Sequence, residues 1–279
     1  MPAYNAGRVI NRAVESLTQS TFPCDIFIVD DGSDIPVADV LNPGARASII
    51  RLESNVGIPR ARNAGLRAIL PLRYEYVACL DADDICHRDR IASQVAFLDR
   101  HPEVAVVGTW GRSFDAASGK PLRIGRMPVT PKQVRRAMRF NSAVINTSAM
   151  LRASTLRTVG LYSERYPAAE DYELFRRIGR RFEIANIPSF LTAISISPEG
   201  VSRKRRRRQL ADRLAIQLRY FEAAKIGTWL GVAKTLTLFV APVSILSGLK
   251  TFLRNANRAR PASADGFPHD GRPGRYEAS

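Results

Sequence analysis

Cysteine is scarce in this chain: Cys24, Cys79 and Cys86 are the full complement in 279 residues, they fall in strand-like or loop contexts, and no two form a CxxC pair. That excludes a disulfide framework and paired-thiolate zinc sites, and it suits a reduced, cytoplasmic setting. Cys86-His87 brings two ligand types side by side, too few for a metal centre. An apolar opening is missing as well. Met1-Pro2-Ala3-Tyr4-Asn5-Ala6-Gly7 reads as a loop without a hydrophobic stretch, so the expectation is that no secretory signal opens the sequence and that the folded part stays inside the cell. Acidic residues are in deficit, 26 against 42 basic ones for a formal charge of +16. This favours acidic partners such as nucleotides, nucleic acid or anionic lipid surfaces without choosing among them. Aromatics are absent from the most basic run, Arg203-Lys204-Arg205-Arg206-Arg207-Arg208. Bases would have nothing there to stack on, and no nucleic-acid motif accompanies it. A nucleic-acid or anionic-membrane binding module is therefore a reading that rests on charge alone, and nonspecific attraction is all that charge supplies.

What is present is enough apolar material, 45% of residues with 8% aromatic, for one sizeable core with appendages. Val9, Ile10, Ala13, Val14 and Leu17 recur with helical spacing, and the apolar run Ile26-Phe27-Ile28-Val29 follows, ending in Asp30-Asp31-Gly32-Ser33. Helix, strand and turn then repeat: strand 47–52, helix 59–70, strand 76–80, helix 88–100 and strand 104–107. Such alternation predicts an α/β fold with a mostly parallel sheet flanked by helices. Residues 113–130, rich in Gly, Pro and basic side chains, read as a long loop. A helix over about 170–180 and a strand near 182–187 come next.

Beyond residue 200 the basic run opens a helical stretch to about 224, and an apolar segment runs from Ile226 to Leu249. Its length is that of a bilayer span. Gly227, Gly231, Lys234, Thr235, Thr237, Pro242 and Ser244 weaken a span, while the basic flanks suit an anionic leaflet. Interfacial or re-entrant attachment, a true span and a buried core helix all stay open. The Pro- and Gly-rich tail, 256–279, is expected to be disordered.

The chemistry concentrates where the apolar run Tyr76-Val77-Ala78-Cys79-Leu80 meets Asp81-Ala82-Asp83-Asp84. This places carboxylates at the C-terminal end of a strand, where open α/β sheets bind ligands. Carboxylate oxygens suit Mg²⁺ or Mn²⁺, usually held by one or two carboxylates together with substrate phosphates, so the implied ligand is a diphosphate. The same residues would also serve as an ordinary turn or helix cap.

Four features stand in a fixed order: Pro2-Ala3-Tyr4-Asn5, Val29-Asp30-Asp31-Gly32-Ser33, Leu80-Asp81-Ala82-Asp83-Asp84, and Ala169-Glu170-Asp171-Tyr172-Glu173-Leu174. Together they resemble the family-two glycosyltransferases of the GT-A fold over about residues 1–200, and Asn55 to Gly65 is similar to the segment between that family's second and third motifs. The resemblance implies a donor site of Pro2, Ala3, Tyr4, Asp31, Arg62, Asn63, Asp81 and Asp83, with Tyr4 against the nucleotide base and Asp31 bonded to it. It further implies a divalent Mn²⁺ or Mg²⁺ carried by Asp83 with Asp81 in support, and Asp171 as general base. Asp84 is expected to cap the following helix. Glu170 and Glu173 are the alternative bases, and acids opening a helix also answer its dipole.

The implied activity is inverting transfer of one sugar from a UDP- or dTDP-linked donor to a hydroxyl, and the membrane-adjacent tail motivates a cell-envelope glycan or lipid-linked acceptor at the inner face of the membrane. Two departures accompany it. Family members carry an apolar strand before the first motif, so the first central strand is expected to be missing, which also admits an inactive GT-A scaffold. The QxxRW element of processive synthases has no match, Gln209 to Arg213 having the wrong spacing and no Trp, which favours single transfers. The expected organisation is a GT-A domain over 1–200, a membrane-associated helical extension over 201–255 and the tail, with acceptor specificity in 113–141.

Overall fold

In the computed structural model the protein is described over residues 1–7, 9–197 and 205–240. The tail, the apolar sequence after residue 240, and Arg203 and Lys204 lie outside the described residues. The chain opens with β1 (Pro2–Ala3), α1 (Ile10–Thr18), β2 (Phe27–Asp30), the short α2 (Val37–Val40), β3 (Ser48–Arg51) and α3 (Ile58–Ile69). Ile10, Ala13 and Val14 turn one face of α1 into the core, the spacing that the helical period requires. Helix α3 starts on Gly57 and Pro59, a proline fitting the first turn because its missing N–H has no partner there. Gly65 lets α3 lie flat on the sheet, since an added Cβ would stand 2.9 Å from Val29 Cγ2.

Strands β1, β2 and β3 form a parallel three-stranded sheet. The first strand is thus represented by Pro2–Ala3, paired with Val29 and Asp30, with the Met1 amine donating to the Phe27 carbonyl at 2.8 Å. A cavity of about 890 Å³ separates this sheet from the next, lined on its two sides by residues such as Phe27 and Val29, and Tyr76 and Ala78, with Arg62 and Asp81 also on its wall.

The second half adds β4 (Tyr76–Ala78), β5 (Ile85–Cys86), α4 (Arg90–Arg100), β6 (Val104–Asp115), β7 (Pro121–Gly125), α5 (Pro131–Ala137), β8 (Met150–Arg152), α6 (Ala153–Val159), α7 (Glu170–Ile178) and β9 (Glu183–Ile196). Its strand order is β4-β8-β6-β9-β5 with β7 on β6. Parallel pairing persists between β6 and β9, whereas β4–β8, β6–β8, β5–β9 and β6–β7 are antiparallel. The fold is therefore α/β with two sheets, the first parallel and the second mixed, with most of its strand pairs antiparallel.

The expected loop over 113–130 is instead largely a hairpin. Strand β6 runs on to Asp115, and β7 returns along it. A tight turn closes it, with Gly119 N–H donating to the Asp115 carbonyl at 2.8 Å and Gly119 at a φ of 69°.

Helix α8 (Arg206–Arg219) joins the main core through Ile216, which is fully buried in the cluster of Leu174, Phe175 and Ile178. Arg176 on α7 donates to the Tyr220 carbonyl at 2.8 Å, and the Ala168 N–H donates to Asp212 at 2.9 Å. Helix α9 (Ile226–Val240) packs on α8. It is no buried core helix, because Ile226, Trp229, Leu230 and Leu236 are exposed. Among the described residues no helix is long and apolar enough to cross a membrane.

Candidate active site

The first two motifs build one wall of the site. Strand β2 ends in Asp30 and Asp31, both buried. Asp30 accepts from the N–H groups of Ser33 and Val37 at 2.9 and 3.0 Å and pairs with Arg51 at 2.5 Å. Burial alone would raise its pKa, but these hydrogen bonds win and hold it below the ordinary carboxylate value. Asp31 accepts from Val56 N–H at 2.8 Å and Gly57 N–H at 3.0 Å, so it ties the loop before α3 to the end of β2. Asn5 clasps the opposite loop: its N–H donates to Ser33 Oγ at 3.0 Å, its side chain donates to Asp34 at 3.0 Å, and Asp34 N–H returns a bond at 2.9 Å. Tyr4, next to that clasp, is exposed. Pro2 and Ala3 contribute backbone, Ala3 accepting from Asp31 N–H at 2.8 Å.

Arg62 on α3 joins this wall to the rest. Its guanidinium donates to Asp81 at 2.8 Å and to Glu170, and it lies over the Tyr162 ring, 5.4 Å from the centroid. Burial would lower the Arg62 pKa, yet Asp81 and Glu170 together raise it well above the usual value, so it stays charged. Asn63 plays a different part. Its amide donates to the Tyr162 carbonyl and accepts from the Tyr162 N–H, each at 2.9 Å, which fastens α3 to the turn before α7.

The third motif follows β4. Asp81 donates its N–H to Thr147 Oγ1 at 2.9 Å and keeps its side chain 35% exposed. Burial and the neighbouring Asp81 push the Asp83 pKa up, with Arg12 opposing. Asp84 does not cap the following helix. Strand β5 intervenes and α4 begins only at Arg90, while the Asp84 carboxylate, buried, accepts from Ser195 N–H on β9 at 2.8 Å. Burial followed by the charges of Asp81 and Asp83 raises its pKa far above the ordinary value.

The fourth motif opens α7, and its three acids have three environments. Glu173 is 4% exposed, pairs with Arg177 at 2.8 Å and accepts from the Tyr220 hydroxyl at 2.7 Å. Glu170 is committed to Arg62, and burial pushes its pKa up to about 7 against the pull of that guanidinium. Asp171 accepts a bond from the N–H of Tyr172 at 2.7 Å and one from its own N–H, and no ion pair claims it among the described residues. Burial raises its pKa, Arg62 lowers it and Asp81 raises it again, so the third and fourth motifs act on each other electrostatically. Of the sequence-predicted residues, Arg62, Asp81, Asp83 and Asp171 converge, whereas Asn63 is taken up by packing.

Sequence reasoning missed Thr147, which receives the Asp81 N–H and hydrogen-bonds Asp84, and Tyr162, which underlies Arg62. A threonine between Asn146 and Ser148 carries no periodic or motif signal. Among the described residues no three His, Cys, Asp or Glu side chains gather into a closed metal site.

The description "Glycosyl transferase family 2" matches residues 1–160. The amylovoran biosynthesis glycosyltransferase AmsE of Erwinia amylovora is 30% identical over 205 residues, covering 70% of this chain and 74% of that protein. Among solved structures, a 1–349 fragment of S. aureus TarS in complex with UDP-GlcNAc superposes with a TM-score of 0.63 at 19% identity, over 85% of this chain and 70% of that one. The mannosyltransferase PcManGT of Pyrobaculum calidifontis, in complex with GDP-Man and Mn²⁺, gives 0.61 at 17% identity, over 92% and 79%. With the third and fourth motifs meeting on one arginine, a GT-A arrangement of strands and a family match over more than half its length, this chain belongs to glycosyl transferase family 2.

Proposed function

We propose that the protein transfers a single sugar from a nucleotide-diphosphate-sugar, UDP- or dTDP-linked, to a hydroxyl of a cell-envelope glycan or lipid-linked acceptor, with inversion at the anomeric carbon. The observation that supports the reading is the convergence of Asp81 and Glu170 on Arg62, whose charges also act on the neighbouring Asp171. Asp171 is the general base. As the acceptor oxygen forms its bond to the anomeric carbon, the hydroxyl proton passes to the Asp171 carboxylate and the bond to the nucleotide diphosphate breaks. One displacement with one base inverts the configuration. Burial moves the Asp171 pKa upward, the direction that makes it a better proton acceptor.

On the donor side Tyr4 offers its ring face to the base, Asp31 anchors the loop that borders it, and Pro2 and Ala3 set the backbone beneath. Arg62 contacts the donor's phosphates or sugar, while Asn63 fastens α3 to Tyr162. Asp83, with Asp81, fits a divalent cation: both are oxygen donors, and Asp83 sits in a desolvated, mutually repelling pair that a cation relieves. Two carboxylates with the donor's phosphates are the usual complement for Mg²⁺ or Mn²⁺. Such an ion, when bound, supplies Lewis-acid stabilisation of charge on the leaving diphosphate. The setting is the inner face of the membrane, where a lipid-linked acceptor would be met.

The test is thermal unfolding with UDP, dTDP and GDP, with and without Mn²⁺, beside Asp83→Ala. Saturation near 100 Kd adds about 2.7 kcal/mol, a shift of several degrees. A shift with one nucleotide that needs metal and Asp83 supports the reading. A folded protein that responds to none of them overturns it.

A further inference from the structure

Helix α9 is amphipathic the wrong way round for a helix packed on a protein. Ile226, Trp229, Leu230, Ala233 and Leu236 fall at i, i+3, i+4, i+7 and i+10, one face of a helix, and that face is the exposed one. The four large side chains among them are between 48% and 77% exposed, and Phe239 near the helix end is 41% exposed. The opposite face, Thr228, Gly231 and Thr235, is the one turned to the body and is buried. Gly231 permits the contact, because an added Cβ would stand 2.2 Å from the Arg139 carbonyl oxygen. From α8, Gln217 donates to that same carbonyl at 3.2 Å and to the Phe140 carbonyl at 3.1 Å. Helix α9 is thus held by its polar side with its apolar side out, while α8 anchors the pair in the core through Ile216.

The charge of the described hairpin is mostly of one sign. Residues 205–240 carry Arg or Lys at 205, 206, 207, 208, 213, 219, 225 and 234, and acids at Asp212 and Glu222 alone. Asp212 is buried and paired with Arg208, which leaves Glu222 as the exposed acid of the hairpin. Trp229 donates its indole N–H to the Ala223 carbonyl at 3.1 Å and sets its ring edge-on to Phe221, so an exposed aromatic is held in a defined orientation.

We propose that the outward face of α9 lies in the headgroup region of an anionic bilayer, with Ile226, Trp229, Leu230 and Leu236 inserted and the exposed Lys225 and Lys234 on the lipid phosphates. A helix with an apolar strip and a basic border binds such a surface through both terms together. The inference deepens the transferase reading, on which it rests for its purpose: it names the face by which the enzyme meets a lipid-linked acceptor. Because α8 packs on α7, which bears Asp171, insertion of α9 holds the catalytic helix at a set height over the membrane.

The experiment uses the full chain with Trp110→Phe, so that Trp229 is the reporting indole. It is sedimented with phosphatidylcholine vesicles containing or lacking phosphatidylglycerol, and Trp229 emission is recorded. Binding at least about tenfold stronger on the anionic vesicles, weakened by salt and with a blue shift of Trp229, is expected. The triple variant Trp229→Ser, Leu230→Ser, Leu236→Ser should lose about tenfold or more in binding while keeping its nucleotide-induced thermal shift. Absence of vesicle binding, binding that the triple variant retains, or a solution dimer in which Trp229 is already shielded would each overturn the proposal. The nucleotide shift is read on the same samples, so failure of the donor site shows itself separately from failure of this surface.

Discussion

Asp81 and Glu170 grip the same guanidinium, that of Arg62, one at the end of β4 and the other at the start of α7. Glu170 and the cation are each 10% exposed, so Glu170 relies on Arg62 more than the half-open Asp81 does.

Replacing Arg62 by Met should therefore cost about 3–5 kcal/mol, the penalty of leaving buried charge unpaired. Arg60→Met, which breaks the Arg60–Glu164 pair between side chains 60% and 43% exposed, should cost less than about 1 kcal/mol. Urea unfolding of the two variants checks the contrast. Arg62→Lys should rescue little, because one ammonium does not span two carboxylates as a guanidinium fork does.

Asp171→Asn should lower kcat by about 10²–10⁴-fold with nucleotide binding unchanged, measured by single-turnover transfer and thermal shift. Glu173→Gln should do the reverse. Its loss falls on the contacts with Arg177 and Tyr220, costing about 1–3 kcal/mol while turnover per folded molecule stays near that of the parent.

Glu170 makes the unliganded protein less stable as pH rises. Its folded pKa of about 7 stands above the ordinary 4.5, so between those values the folded state keeps a proton that the unfolded chain has released. Stability present below about pH 4.5 is then lost progressively up to about pH 7, by up to about 3 kcal/mol. Glu170→Gln should flatten that slope in urea titrations at pH 5 and 8. A slope of unchanged size in the variant would remove Glu170 as its source.

Gly32 sits at a φ of +69°, and a Cβ there would lie 2.5 Å from the Ser54 carbonyl carbon. Gly32→Ala should combine left-handed strain with overpacking for about 2–4 kcal/mol. It should also weaken nucleotide-induced stabilisation, because Ser54 begins the loop that Asp31 anchors. Thermal unfolding with and without nucleotide measures both effects.

What could be read in advance follows from how local each signal is. The carboxylates of Asp81, Asp83 and Asp171 stand directly after an apolar run or at the opening of an amphipathic helix, so their neighbours in sequence announce them. Asp84 has the same local look, but its partner Ser195 is 111 residues away, and nothing near it distinguishes a helix cap from a cross-sheet bond. Arg62 was legible as a site cation, yet its division between two acids depends on where β4 and α7 come to lie. Strand β7 escaped notice because Leu122 and Ile124 alternate on an exposed edge between turn residues, where burial never enforces a clean pattern. The inverted face of α9 was hidden for a related reason: an apolar run gives no direction until the fold shows which side is covered.

The parallel ladder of β6 with β9 has a consequence in time. It pairs residues about 80 positions apart, Trp110 with Phe190 among them, and closing so long a loop is entropically slow compared with the local β1-β2-β3 pairings. Helix α7 lies within that connection, only a few residues before β9. Refolding should thus produce a nucleotide-side half first and a complete catalytic centre only when the last long-range strand has docked, so recovery of transfer trails recovery of secondary structure.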